Sequence, residues 1–245
     1  MYNNLKIGIG LQVCRPHKLR NIIYHLSLIE DIINFNIEIV VDRNSNEIDE
    51  ILKCTTIART ITGGIGNWTS KNLLIKKLLN RDSDIIILLE DDIEILKEGL
   101  FDYIVFSYMS SKNFIGYFKT NNEKQKMKFE KSFIENRIIN NLNFNLLQDL
   151  NTSALLVLDR RIINRIGFFC NSFYEVGFHD YRERLYGAKL IEYFLVPSKI
   201  YEYMKVDDSI PSTISKKNSA IYWKQKFTTA VNWYRPYSDK PKLVL

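Results

Sequence analysis

Three consecutive carboxylates, Glu90-Asp91-Asp92, close the apolar run Ile85-Ile86-Ile87-Leu88-Leu89. Like charges a few ångströms apart repel unless a proton or a cation comes between them. Hard carboxylate oxygens suit Mg²⁺ or Mn²⁺, which keep waters and bridge to substrate phosphates. A solvated acidic turn capping the next helix is the alternative for such a triplet taken alone. Further groups with chemical potential are Asp42, Lys71 behind the glycine-rich Thr62-Gly63-Gly64-Ile65-Gly66-Asn67, and His179-Asp180 behind Gly177. A glycine turn at a helix start suits an anion, although this one matches neither the Walker loop nor the dinucleotide fingerprint, and a simple tight turn is the alternative. A lysine in the first turn of a helix is unfavourable for the helix itself and better explained by an anionic partner.

The elements around these residues alternate strand and helix. Lys6 to Val13 reads as a strand, and Arg15-Pro16 opens a helix whose apolar stripe is Leu19, Ile22, Ile23, Leu26, Ile29 and Ile33. Ile37 to Val41 is a second strand ending at Asp42, with Asn44-Ser45 capping a short helix through Leu52. Thr56 to Ile61 is a third strand, and a helix follows from about Thr69 to Leu79. The run 85–89 has the continuous apolar character of a strand buried on both faces, so the acids sit at its C-terminal edge, where ligands bind in open α/β sheets. A helix over Leu96 to Met109 and a strand over Phe114 to Phe118 come next. The stretch 119–150 is polar, rich in Asn and Lys, and reads as an insertion or flap. Ser153 to Leu158 restores a buried strand, Gly167 ends a short helix, Gly187 caps the helix holding His179-Asp180, and Leu190 to Val196 is a last strand. The expected class is α/β with a mostly parallel sheet flanked by helices. The expected organisation is a catalytic domain over 1–210 and an extension over 211–245.

In this order the motifs resemble those of GT-A nucleotide-sugar glycosyltransferases of the family-2-like group. Gln12 to Pro16, Asp42, Gly63 to Asn72 with Lys71-Asn72, Glu90-Asp91-Asp92 and His179-Asp180 follow the family's sequence of motifs across residues 6 to 195. The resemblance implies a Rossmann-like GT-A fold, a nucleotide-sugar donor (a UDP-sugar first) and a divalent metal, Mn²⁺ or Mg²⁺. It implies that Gln12 lies in the donor site, Asp42 hydrogen-bonds the base, Lys71 contacts base or diphosphate, and Glu90 and Asp91 face the ribose and metal waters. Asp92 would ligate the metal, and Asp180 would take the acceptor's proton, giving inversion by in-line attack, with a retaining outcome as the alternative because the sequence does not show which face the acceptor uses. His179 stands where the family commonly has Glu, and is a candidate for metal or acceptor contact, with helix capping as the alternative. Glu90 replaces the usual leading Asp.

The chain has 245 residues, 46% hydrophobic and 25% charged, enough for one sizeable core. No apolar run approaches the ~20 residues that span a bilayer, and the N-terminus lacks a signal-peptide core, so a cytoplasmic protein is expected. Cys14, Cys54 and Cys170 fit neither a disulfide framework nor a zinc site. From Pro211 onward seven cations face Asp239 alone, which accounts for the whole formal excess of +6. Aromatics interleave there, so the extension could hold an anionic acceptor or pack as an amphipathic helix. Acceptors open at this point are a phosphate-bearing glycan or lipid, or a hydroxylated base in DNA. The competing classes are a nucleotidyltransferase and a non-catalytic nucleotide-sugar-binding module.

Overall fold

The computed structural model describes residues 5–29, 35–42, 44–169 and 177–206, without the side chains of Gly177 and His179. The extension expected from Pro211, Ile33 and Cys170 lie outside the described residues. In chain order the elements are β1 (Ile7–Val13), α1 (Leu19–Ser27), β2 (Phe35–Val41), α2 (Asn46–Leu52), β3 (Ala58–Ile61), α3 (Asn67–Asn80), β4 (Ile85–Glu90) and β5 (Ile93–Ile95). They continue with α4 (Leu100–Ser111), β6 (Ile115–Gly116), α5 (Glu123–Ser132), β7 (Phe133–Ile139), β8 (Leu142–Leu147), β9 (Leu155–Asp159), α6 (Arg160–Ile166), α7 (Gly177–Gly187), β10 (Phe194–Pro197), α8 (Ile200–Tyr203) and β11 (Met204–Val206).

Among the described residues nine strands form one sheet in the order β3-β2-β1-β4-β9-β6-β10-β8-β7. Only β9 and β8 run against the common direction, giving the mostly parallel α/β sheet expected. The chain moves outward from β1 through β2 to β3, then returns to place β4 on the other side of β1. That reversal is a topological switch point, and in open α/β sheets the crevice beyond the strand C-termini there is the usual ligand site. A two-stranded ribbon, β5 with β11, lies outside the main sheet.

Close packing of α3 on β1 sets the position of the site. A Cβ added at Gly8 would lie 3.1 Å from Leu78 Cβ, and one added at Gly10 would lie 3.1 Å from Leu74 Cβ. Gly8, Gly10 and Gln12 alternate onto one face of the strand, while Lys71, Leu74 and Leu78 share one stripe of the helix. The absence of side chains at the two glycines lets the stripe descend onto the sheet and carries Lys71 over Gln12, with Lys71 Nζ 3.3 Å from Gln12 Oε1. Gly66, at φ 89°, adopts the left-handed backbone that admits the chain into α3.

Several boundaries differ from the sequence reading. The first helix starts at Leu19 rather than at Arg15-Pro16: Arg15 is held in the turn by its backbone N–H bond to Asp91, and residues 16–19 close a separate turn in which the Leu19 N–H donates to the Pro16 carbonyl at 3.0 Å. The residues after Asp92 form the short strand β5 before α4 begins at Leu100. The polar stretch 119–150, read as an insertion or flap, holds α5 and the β7–β8 hairpin, which extends the main sheet. Six of the seven β7 residues are exposed, so no face is buried consistently and no alternation of apolar residues marks the strand. Among the described residues no helix is long and apolar enough to cross a membrane.

Candidate functional site

Gln12 and Glu90 are register partners at the C-terminal ends of β1 and β4. Lys71 descends between them from α3, fully buried, and its ammonium bonds Glu90 Oε1 and Asn67 Oδ1, the latter at 2.6 Å. Ser153 Oγ donates to the same Glu90 oxygen at 2.6 Å. Burial opposes ionisation of Glu90, but the charge and hydrogen bond of Lys71, with help from Ser153 and Lys119, hold its carboxyl down at about 2. Glu90 is therefore a fixed anion with one oxygen committed. The anionic partner expected for Lys71 is intramolecular, and its enclosure leaves base or diphosphate contact to the groups around it.

Asp91 turns back into the protein. Its Oδ2 accepts the backbone N–H groups of Cys14 and Arg15, and its Oδ1 accepts Arg15 Nε at 2.9 Å and a second guanidinium nitrogen at 2.5 Å. It ties the β1–α1 turn to the acidic edge, and both of its oxygens are engaged within the protein.

Asp92 is 6% exposed, and its Oδ1 is buried with no hydrogen-bond partner. Oδ2 lies 3.7 Å from an Arg15 guanidinium nitrogen and 3.8 Å from Lys119 Nζ, near enough for attraction but beyond hydrogen-bond distance. Burial, then repulsion by Glu90, push its carboxyl up to about 7 against the pull of Lys119 and Arg15. Asp92 is thus a desolvated carboxyl with two cations at ion-pair distance and one oxygen that no hydrogen bond satisfies.

Asp42 follows β2. Its Oδ1 accepts from Thr62 Oγ1, Gly66 N and Ser70 Oγ at 3.1–3.2 Å, so it organises the glycine-rich turn and the start of α3. Its Oδ2 faces Cys14 Sγ at 4.0 Å. Burial and the neighbouring Asp91 and Asp42 push the Cys14 thiol up to about 12, which leaves it protonated. Farther along, Asp180 lies in the first turn of α7, and its Oδ2 receives Arg184 Nε at 2.9 Å and a second guanidinium nitrogen at 2.7 Å. Arg184 in turn donates to the carbonyls of Ile166 and Phe168. The guanidinium fixes one oxygen of Asp180, and among the described residues nothing bonds the other.

No family model and no curated protein matches the chain. Solved structures do. The mannosyltransferase PcManGT from Pyrobaculum calidifontis matches with a TM-score of 0.54 at 11% identity, over 92% of this chain and 64% of that one. Glucosyl-3-phosphoglycerate synthase from Mycobacterium tuberculosis matches with a TM-score of 0.54 at 8% identity, over 80% of this chain and 70% of that one. TarS of S. aureus matches with a TM-score of 0.53 at 13% identity, over 84% of this chain and 37% of TarS. The chain has the GT-A fold of nucleotide-sugar glycosyltransferases. It spans less than two thirds of the length of TarS and of the mannosyltransferase.

The GT-A framework brings Gln12, Lys71, Glu90, Asp91 and Asp92 to one edge, with Asp42 joined to it through Cys14 and the α3 turn. His179 falls on α7, and its side chain lies outside the described residues. Among the described residues no three His, Cys, Asp or Glu side chains converge to hold a metal, because Glu90 and Asp91 are turned toward Lys71 and Arg15. The donor set nevertheless fits a hard divalent ion held by one carboxylate, that of Asp92, together with water and substrate phosphates.

Sequence reasoning assigned no role to Arg15, Lys119 or Ser153. Ser153 precedes β9, which runs antiparallel to β4, and that pairing delivers it to Glu90. An antiparallel strand inside an otherwise parallel sheet leaves no local signal. Arg15 lay inside a quoted motif, and a cation directly after the first strand was the available clue.

Proposed function

We propose that this chain is a glycosyltransferase that moves a sugar, hexosyl or pentosyl, from a nucleoside-diphosphate sugar to an acceptor hydroxyl with inversion at the anomeric carbon. The observation that carries the reading is Asp92, a buried carboxylate at the switch-point edge of a GT-A fold with one oxygen unpartnered. Mn²⁺ or Mg²⁺ held there supplies positive charge that offsets the departing diphosphate. The mannosyltransferase was crystallised with GDP-Man and Mn²⁺, and the synthase with UDP and Mn²⁺, which supports the same pairing of ligands here.

Each residue then has a task. Asp92 holds the cation, with His179 a second candidate ligand. Glu90, its Oε1 fixed by Lys71 and Ser153, offers Oε2 to the ribose. Asp42 offers Oδ2 to the base, and Gln12 lines the floor beneath it. Arg15 and Lys119 stand beside Asp92 as cations for the diphosphate. Asp180, oriented by Arg184, takes the proton from the acceptor hydroxyl as that oxygen bonds the anomeric carbon and the bond to diphosphate breaks.

Titration calorimetry of UDP with and without Mn²⁺, followed by chelator, tests the donor site. Asp92→Asn should weaken metal-dependent binding by at least about 10- to 100-fold, the range seen when only a partner of a metal ligand is removed. UDP binding indifferent to metal, chelator and the substitution would remove the metal role. Mass spectrometry of reactions with nucleotide sugars should show free sugar or glycoside. Pyrophosphate would indicate a nucleotidyltransferase, and no product a binding module.

A further inference from the structure

A cavity of about 840 Å³ lies between the acidic edge and α7. Ser153, which bonds Glu90, and Trp68, whose ring centroid is 5.1 Å from Lys71 Nζ, line it from the acidic edge. Phe178, Arg182, Glu183 and Tyr186 line it from α7, the helix that carries Asp180. If the proposed function holds, on which this inference rests, an acceptor must reach both regions, and this cavity borders both.

Its lining selects the chemistry. Lys128, Lys131 and Arg182 are matched in number by Asp149, Glu183 and Glu192. Arg182 is moreover committed to Asp149 at 2.5 Å and to Glu183 at 2.7 Å. Among the described residues of the lining no excess of cations remains to release counter-ions from a nucleic acid, whose binding depends on several phosphate contacts. Nor is the lining continuously apolar, as a lipid chain requires, since Gln148, Asn151, Thr152 and Ser153 contribute polar groups. The cavity offers donors and acceptors in balance beside aromatic edges, and its volume falls within the ~300–1,000 Å³ typical of small-molecule sites. We infer that it receives an uncharged saccharide as acceptor. The phosphate-bearing acceptor suggested by the basic residues after Pro211, which lie outside the described residues, is the competing outcome.

The test applies the full chain, alone and with UDP and Mn²⁺, to an array of uncharged glycans, phosphorylated glycans, a DNA duplex and anionic phospholipid vesicles. UDP binding is measured separately by calorimetry. Uncharged glycans should bind with affinity that is flat between about 50 and 200 mM salt. Gln148→Ala and Glu192→Gln, both at exposed positions of the lining, should each lower that affinity severalfold while leaving UDP binding unchanged. Binding confined to phosphorylated glycans, DNA or vesicles overturns the saccharide assignment, and retained UDP binding would then leave the transferase reading standing. Absence of binding across the array also overturns it. Uncharged-glycan binding without any UDP binding would keep the cavity assignment and remove the donor reading.

Discussion

Lys71→Met keeps most of the side-chain length, losing only the terminal atom, and removes a charge from the centre of the site. Lys71 is fully enclosed and the Glu90 side chain is 17% exposed, so the substitution leaves a largely buried carboxylate without its closest cation. Breaking a buried pair by removing one partner costs about 3–5 kcal/mol. The displacement of the Glu90 carboxyl from 4.5 to about 2, the net of burial against Lys71, Ser153 and Lys119, is of the same order, about 3 kcal/mol. Because the folded-state value lies below the unfolded one, this stability is present above about pH 4.5 and is lost as pH falls through about 2. Denaturant unfolding should therefore show a loss of about 3 kcal/mol at pH 7 for Lys71→Met, shrinking as pH falls toward 2. Lys71→Met combined with Glu90→Gln should recover part of the loss, since no charge is then buried unpaired, and the coupling between the two should exceed about 1 kcal/mol. A loss below about 1 kcal/mol that does not change with pH would refute the reasoning and assign Lys119 as the cation that sustains Glu90.

Asp180→Asn should retain UDP and Mn²⁺ binding but reduce transfer by roughly 10²-fold or more, because a base acts on the acceptor's proton and not on the donor. Single-turnover product analysis beside donor calorimetry checks both halves. Asn72→Ala should cost about 2 kcal/mol in denaturant unfolding: its side-chain amide donates to the Phe169 carbonyl at 2.8 Å and accepts the Phe169 N–H at 2.9 Å, and both backbone groups would be stranded. Gly8→Ala should cost about 1–3 kcal/mol, since the added Cβ would fall 2.8 Å from Ser83 Oγ and 3.1 Å from Leu78 Cβ. A thermal midpoint equal to that of the parent chain would contradict the close approach of α3 to β1.

The sequence made the framework legible where burial is strong and uniform. Ile85 to Leu89 read as a strand covered on both faces, which placed Glu90 to Asp92 at its C-terminal edge. The apolar stripe of α1 was legible for Leu19, Ile22, Ile23 and Leu26, whereas Ile29 falls beyond the end of the helix at Ser27. What stayed hidden was whatever depends on chain segments distant in sequence. β9 enters antiparallel between β4 and β6, and nothing in Leu155 to Asp159 announces its direction. β7 is exposed on both faces, so its seven residues carry no alternation. The partner of Lys71 was anticipated as an anion, but its identity as Glu90 required the close approach of α3 that Gly8 and Gly10 permit.

The acidic triplet shows why a motif read as one unit behaves as three groups. Glu90 follows β4 to its last residue and meets Lys71 on the face that α3 covers, so it stays ionised. Asp91 points instead to the turn after β1, where two backbone N–H groups and the Arg15 guanidinium take both of its oxygens. Asp92 inherits the desolvation and the field of two fixed anions while Arg15 and Lys119 stop 3.7 and 3.8 Å short, and its carboxyl rises to about 7. The two committed carboxylates thus create the demand for positive charge that the third is left to meet. A cation held by Asp92 would sit against a pre-arranged negative field without competing with either internal pair. Arg15, anchored on Asp91, and Lys119 stand near that edge without closing on Asp92, and in the proposed reaction they would be the cations nearest the diphosphate.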